Sequence, residues 1–421
     1  MGRQTIDIHN YERKYNDAER LVRASAISER NKDLILSYRD TCLLKNICGK
    51  VRLIRAIGAL LLCARTINKD FDTLTKADLE HLVARLLART PSYSAETMGT
   101  YRAILRTFMT FVLTPEQFPT KHPPAILSWL NSHVKTKDKR KLERADLLTP
   151  SEIQQLLQIA THPRDKALIS TLWETGGRIA EIGNRTIKQL VKHQFGYTLD
   201  VTGKTGQRSP LLISSAPYLS QWLACHPFVH DPAAPLWVYN HHRPQPRHLT
   251  YQALRMLLRR YVERAGINKR IYPHLFRHSR ATYCVATGLM NEQQAKAYFG
   301  WSPSSKMLAN YAHLTAQDAN NAIMRENHLS PPVENHEVLT PKQCNACTTM
   351  NTNTTAYCIR CSNPLDERAA RTHATTQTAT HAVLLQLCKV LVEKGLIDEA
   401  AATIHDAGLG EALRELATKT P

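Results

Sequence analysis

The chain has 421 residues, enough for about two to three domains with cores of their own. Its formal charge is +19, and the excess is unevenly placed: residues 331–421 hold 8 basic and 10 acidic side chains, so residues 1–330 carry +21. A field of one sign over that span implies nucleic acid first and an anionic membrane second; the apolar run AIGALLLCA at 56–64 is far too short to span a bilayer and no signal-peptide pattern opens the sequence, so the expectation is a cytoplasmic protein with no membrane partner.

From Ala18 to Val112 the pattern is helical. In LTKADLEHLVARLLA, Thr75 and Asp78 stand at capping-box spacing, with Asp in place of the usual Glu, and Leu79, Leu82, Val83, Leu86 and Leu87 form one stripe. In SAETMGTYRAILRTFMTFV, Ser94 is the cap and Tyr101, Ile104, Leu105, Phe108, Met109 and Val112 the buried face. These stripes read as core, and residues 18–130 as a small all-helical domain. Residues 131–147 break the periodicity with KTKDKRKLER, a basic linker that either lies along a phosphate backbone or is a solvated connector.

A second domain, 148–328, opens on LTPSEIQQLLQIA, where Thr149 caps, Pro150 takes the first helical position and Glu152 completes a capping box. TGGRIAEI follows, with Arg178 after two glycines that allow close backbone approach. Then Tyr197, Leu199 and Val201 alternate before a Gly-rich turn and a second apolar run, which predicts a β-hairpin with Lys204 in its loop. The remainder is again helical. In YPHLFRHSRATY, Pro273 suits a helix start, and His274 and Arg277, three apart, share one side of the first turn. Such a pair can present an imidazole and a planar guanidinium to one anion, although HxxR is also common on solvated helix faces. FGWSPSS and NYAHLT close the segment, the latter with Tyr311.

Beyond a Pro-containing linker at 331–343 lies CNAC, then ten residues, then CIRC. Two CxxC pairs supply four thiolates, Cys344, Cys347, Cys358 and Cys361, which suit a closed tetrahedral zinc site at 340–366; free cysteines or another metal are the other readings. Such a Zn²⁺ would be structural and would supply folding energy on the order of 10 kcal/mol. The other six cysteines are scattered, which suits a reducing compartment better than a disulfide framework. An amphipathic stretch within 377–418 reads as a packing or oligomer helix.

Taken together and in order, TGGRIAEI, GKTGQR, HLFRHSRATY and FGWSPSSKMLANYAHLT resemble the tyrosine recombinase (phage integrase) family over roughly residues 149–325. They match its first arginine with an acidic residue three on, its hairpin lysine, its H-x-x-R-H-[ST] box, and its Gly-[His/Trp] then Tyr; Trp301 lies 24 positions after Arg277 and Tyr311 10 after Trp301. More loosely, residues 18–130 resemble the family's SAM-like core-binding domain. The cysteine module is similar to zinc ribbons appended to some archaeal integrases.

The resemblance implies a mainly α fold with a small antiparallel β-sheet (α+β): a helical core-binding domain, a catalytic domain and a C-terminal zinc ribbon. It implies site-specific cleavage and rejoining of double-stranded DNA by a homotetramer, through a 3′-phosphotyrosyl intermediate and with no catalytic cofactor. Arg178 and Arg277 would clamp the scissile phosphate, Tyr311 attack, His274 accept its proton or hydrogen bond, Lys204 protonate the leaving 5′-oxygen, and Trp301 donate to the phosphate and pack. Glu181 would orient its neighbours. Integration and excision of a mobile element is the expected task; Xer-like resolution of multimers, relaxation of supercoils, or DNA-binding regulation without catalysis are the alternatives.

Overall fold

The computed structural model describes residues 6–130, 142–203, 206–239, 244–305 and 339–396, together with 320, 323–324 and 327–329. Among these the chain is mainly helical, with three small antiparallel sheets.

The first five helices are α1 (Tyr11–Arg23), α2 (Glu29–Leu44), α3 (Lys50–Ile67), α4 (Lys76–Leu87) and α5 (Ala95–Leu113). Local chemistry starts them: Ser28 accepts from the Asn31 N–H, Ser94 from the Thr97 N–H, and Thr75 and Asp78 form the expected reciprocal box. They share one core, in which Phe108 meets the rings of Tyr38 at 5.4 Å and Phe71 at 4.8 Å. Two details differ from the periodic reading. Leu87 is exposed, because it falls one position round from the Leu79–Leu82–Val83–Leu86 stripe, and α5 buries Met98 and Phe111 while Tyr101, Ile104 and Val112 are only half-buried.

A second core gathers α6 (Pro150–Ile159), α7 (Pro163–Thr175), α8 (Ile179–Gly183), α9 (Ala216–Ala224), α10 (Tyr251–Arg264) and α11 (Pro273–Ala286), with α12 (Glu292–Phe299) packed on α11. The predicted capping box at Thr149 and Glu152 opens α6. Helix α7 is the hub, buried continuously from Ala167 to Thr175. Its Glu174 carboxylate accepts the backbone N–H groups of Ile213, Ser214 and Ser215 and the Ser215 hydroxyl, so a buried charge is fully hydrogen-bonded while it fixes the start of α9.

The expected single hairpin is two structures. Strands β1 (Leu190–His193), β2 (Gly196–Leu199) and β5 (Leu211–Leu212) form one sheet in the order β1-β2-β5. Strands β3 (Val201–Gly203) and β4 (Gly206–Arg208) form a separate hairpin, with Val201 opposite Arg208 and Gly203 opposite Gly206. The break falls at Asp200, whose N–H donates to Gln189 O at 2.8 Å and whose carboxylate accepts from the Ser209 hydroxyl at 2.6 Å.

Ahead of α1, the chain reaches into this second core. Ile8 is 1 % exposed; its N–H donates to Asn184 Oδ1 at 3.0 Å, and its C=O accepts the Tyr251 N–H at 2.8 Å. Gly183 makes room: a Cβ there would lie 2.8 Å from the Ile8 side chain.

The cysteine module is a hairpin of β6 (Lys342–Gln343) and β7 (Met350–Asn351), followed by helix α13 (Glu367–Glu393). Leu339 packs against the second core, and Pro341, Thr352 and Asn353 line a small cavity with Leu157, Trp173 and Tyr218. The module is therefore seated on α6, α7 and α9. Among the described residues no helix is long and apolar enough to cross a membrane.

Candidate active site

Helix α7 ends at Gly176, which adopts φ +51°; a Cβ there would lie 2.5 Å from the Phe299 ring, so both backbone and space require glycine. The turn delivers Arg178 to the N-cap of α8. Its N–H donates to Glu181 Oε2 at 3.2 Å and its Nη1 to Oε1 at 2.5 Å. The other side of the same carboxylate takes Nη2 of Arg208 at 2.9 Å. Burial alone would raise the Glu181 pKa; the hydrogen bonds from Arg178 and the charge of Arg208 outweigh it and hold the carboxyl below its usual range. The hairpin runs beside this pair: a Cβ on Gly203 would meet Glu181 Oε1 at 2.8 Å. Lys204, the next residue, lies outside the described residues, as does Tyr311.

Helix α11 brings the second arginine. Pro273 is its first residue, and Arg277, fully buried, donates through Nη1 to Gly176 O at 3.1 Å and through Nη2 to Phe299 O at 2.6 Å. One guanidinium thus ties the end of α7 to the end of α12, and it lies over the Trp301 ring at 5.3 Å and the Phe299 ring at 5.6 Å. Trp301, 6 % exposed, stacks on Phe299 at 5.2 Å. It is set there by Gly300, which closes α12 at φ +62° with Gly300 N–H to Ala297 O and Trp301 N–H to Lys296 O.

His274 stands on the first turn of α11, open to solvent on one side, with the His278 ring 5.0 Å away. Its pKa is lowered first by loss of hydration and then by the charges of Arg277 and Arg178, so the imidazole is neutral near pH 7. Arg178, His274, Arg277 and Trp301 are therefore one neighbourhood, built from the ends of α7 and α12 and the starts of α8 and α11. Two cationic forks beside a neutral base suit an oxyanion that gains charge during reaction. Arg208 belongs to this neighbourhood and was not singled out by its motif. The available signal was alternation: it sits across the hairpin from fully buried Val201, so its side chain points inward.

The four cysteines form a distinct centre. Their sulfurs lie within 4.8 Å of one another, with Cys344 to Cys361 and Cys347 to Cys358 each at 3.5 Å. Four thiolates around one tetrahedral Zn²⁺ with bonds of about 2.3 Å would stand about 3.8 Å apart, so the donor set and spacing fit a metal. Each CxxC closes as a tight knuckle, Thr348 N–H to Cys344 O and Ser362 N–H to Cys358 O, with Thr348 and Ser362 at positive φ. Burial opposes ionisation of Cys358, but backbone N–H groups of Arg360 and Cys361 bring its thiol down to about 6. Buried Asn351 links the halves, accepting the Ile359 N–H at 2.9 Å and donating to Thr349 O at 2.8 Å.

A solved XerH site-specific recombinase bound to palindromic difH substrate superposes with a TM-score of 0.50 over 77% of this chain and 98% of that one, at 16% identity. Residues 146–318 match the phage integrase family model. It is 32% identical over 148 residues to a tyrosine recombinase of Synechococcus elongatus, an alignment that covers 33% of this chain and 46% of that protein. A tyrosine recombinase of Pseudothermotoga lettingae is 29% identical, over 43% of this chain and 62% of the relative. The chain thus spans less than two thirds of the length of each of these two relatives.

Proposed function

We propose that the protein cleaves and rejoins DNA strands at specific sites, with Tyr311 as nucleophile. The observation that supports this most is the pairing of Arg178 and Arg277, each fixed by its own acceptors, beside a neutral His274. In the reaction the Tyr311 hydroxyl oxygen bonds to the scissile phosphorus and the 5′-oxygen leaves. The tyrosine proton passes towards His274, whose lowered pKa leaves its lone pair available, and Lys204 gives a proton to the leaving oxygen. The two arginines neutralise the non-bridging oxygens as their charge grows, and Trp301, packed against Arg277, would donate to the same phosphate. One phosphoester replaces another, so rejoining needs no external energy source.

Double-stranded DNA is the substrate in this reading, a homotetramer the working assembly, and the cytoplasm its location. The physiological task is integration and excision of a mobile element; the Xer names carried by several relatives favour multimer resolution as the second reading. Cys344, Cys347, Cys358 and Cys361 would hold a structural Zn²⁺.

The test is an adduct assay with nicked duplexes taken from DNA flanking the protein's gene and no free divalent cation added. A slowly migrating protein–DNA species on a denaturing gel, lost in Tyr311→Phe, is expected. An adduct that survives in Tyr311→Phe overturns the nucleophile, and tight DNA binding with no adduct on any flanking site favours a non-catalytic DNA-binding role.

A further inference from the structure

Arg208 makes two contacts that no role described so far requires. Its Nη2 donates to Glu181 Oε2 at 2.9 Å, and its Nη1 donates to the Tyr298 carbonyl at 2.6 Å. The first joins it to the carboxylate that holds Arg178. The second caps the end of α12 at the carbonyl next to the one that Arg277 takes, Phe299 O. Helix C-terminal carbonyls lack intrahelical donors, so two adjacent ones are satisfied here by two arginines that arrive from different elements. Arg208 itself is carried by β4, which pairs with β3, the strand that Lys204 follows in the sequence.

We infer that Arg208 is a positioning residue for strand cleavage, one that locks the lysine hairpin to both arginine anchors and sets the charge left on Arg178; this rests on the strand-cleavage reading above. Arg178, Arg208 and Glu181 together carry one net positive charge, whereas Arg178 and Glu181 alone carry none. With Glu181 shared between two guanidiniums, Arg178 keeps positive potential for a phosphate. Without Arg208, the buried carboxylate is neutralised by Arg178 alone, and the hairpin loses its tie to α12. Val201, opposite Arg208 in the hairpin, is fully buried and anchors the partner strand in the core.

The experiment is single-turnover cleavage of a nicked duplex at saturating DNA across a pH series, for wild type, Arg208→Lys, Arg208→Gln, Glu181→Gln and the double variant, with duplex affinity and thermal midpoint measured on each. Arg208→Gln is expected to slow cleavage by about tenfold or more while duplex affinity changes by less than about threefold, because the lost potential acts on the transition state. Arg208→Lys, which keeps the charge but not the fork, is expected to recover part of the rate. In the Glu181→Gln background the loss of Arg208 is expected to matter several-fold less, the coupling that a shared carboxylate demands.

Wild-type cleavage with an unchanged rate in Arg208→Gln overturns this inference and leaves the strand-cleavage reading standing. A wild type that binds duplex and never cleaves overturns both. If Arg208→Gln fails to fold, Arg208→Lys carries the test: full rate together with strict additivity against Glu181→Gln overturns the positioning role.

Discussion

At the scale of single residues, Arg277 is both anchor and candidate clamp. It is fully buried and holds the carbonyls of Gly176 and Phe299 together. Arg277→Ala leaves both without that donor and opens a cavity, so a loss of roughly 3–5 kcal/mol is expected, read as a lower urea midpoint; a stability loss near zero would contradict this account of the buried fork. His274 makes a pH prediction. Its folded pKa lies below 6.5, so the unfolded chain takes up a proton first as the pH falls, and the His274 contribution to stability declines below about pH 6.5. A neutral acceptor is also retained further into acid, so the acid limb of single-turnover cleavage is expected below pH 6.5 and is expected to vanish in His274→Gln. An acid limb above that value would contradict it. The sequence already placed His274 and Arg277 on one helical turn, because spacing along a helix is local. It was silent on Gly176 O and Phe299 O as partners of Arg277, since those contacts span 101 and 22 residues.

At the scale of elements, what was legible was what the backbone decides locally. The boxes at Thr75 and Thr149 and the cap at Ser94 could be read directly, because each joins groups three residues apart. The strands could not be divided correctly. Tyr197, Leu199 and Val201 alternate without interruption, yet the break at Asp200 is fixed by Gln189 and Ser209, outside the periodic run. The loop before α9 likewise depends on Glu174, some 40 residues earlier. The cysteine module was legible from spacing alone, and its seat on α6, α7 and α9 was not. Cys344→Ser is expected to abolish the tightly held metal, read as loss of about one zinc per chain by elemental analysis, and to expose the segment around Thr352, which is 7 % exposed, to protease. Undiminished metal content, or a module as protease-resistant as the wild type's, would contradict the four-thiolate centre.

At the scale of the whole chain, an N-terminal arm ties the two larger hydrophobic cores of the described residues together. Ile8 precedes the first helical unit yet is buried in the second, hydrogen-bonded to Asn184 and Tyr251. Nothing in a single hydrophobic residue near Asp7 and His9 signals such a crossing, because its pocket is assembled from Gly183 and Leu254, far away in sequence. Ile8→Asp is expected to free the arm at a stability cost of roughly 2–5 kcal/mol and to raise the radius of gyration in small-angle scattering. An unchanged scattering curve would show that the arm does not hold the two units together. The division of charge along the chain fits a nucleic-acid partner for residues 1–330 and a different task for the net acidic remainder.

We propose that Tyr311 becomes covalently bonded to a DNA 3′-phosphate under the control of Arg178 and Arg277. The most direct measurement is mass spectrometry of the nuclease- and protease-digested adduct formed on a nicked duplex, combined with end analysis of the released strand. A nucleotide 3′-phosphate on the peptide that contains Tyr311, with a free 5′-hydroxyl on the other strand end, is the predicted result. A nucleotide on any other residue, or a 5′-phosphate linkage, would contradict it.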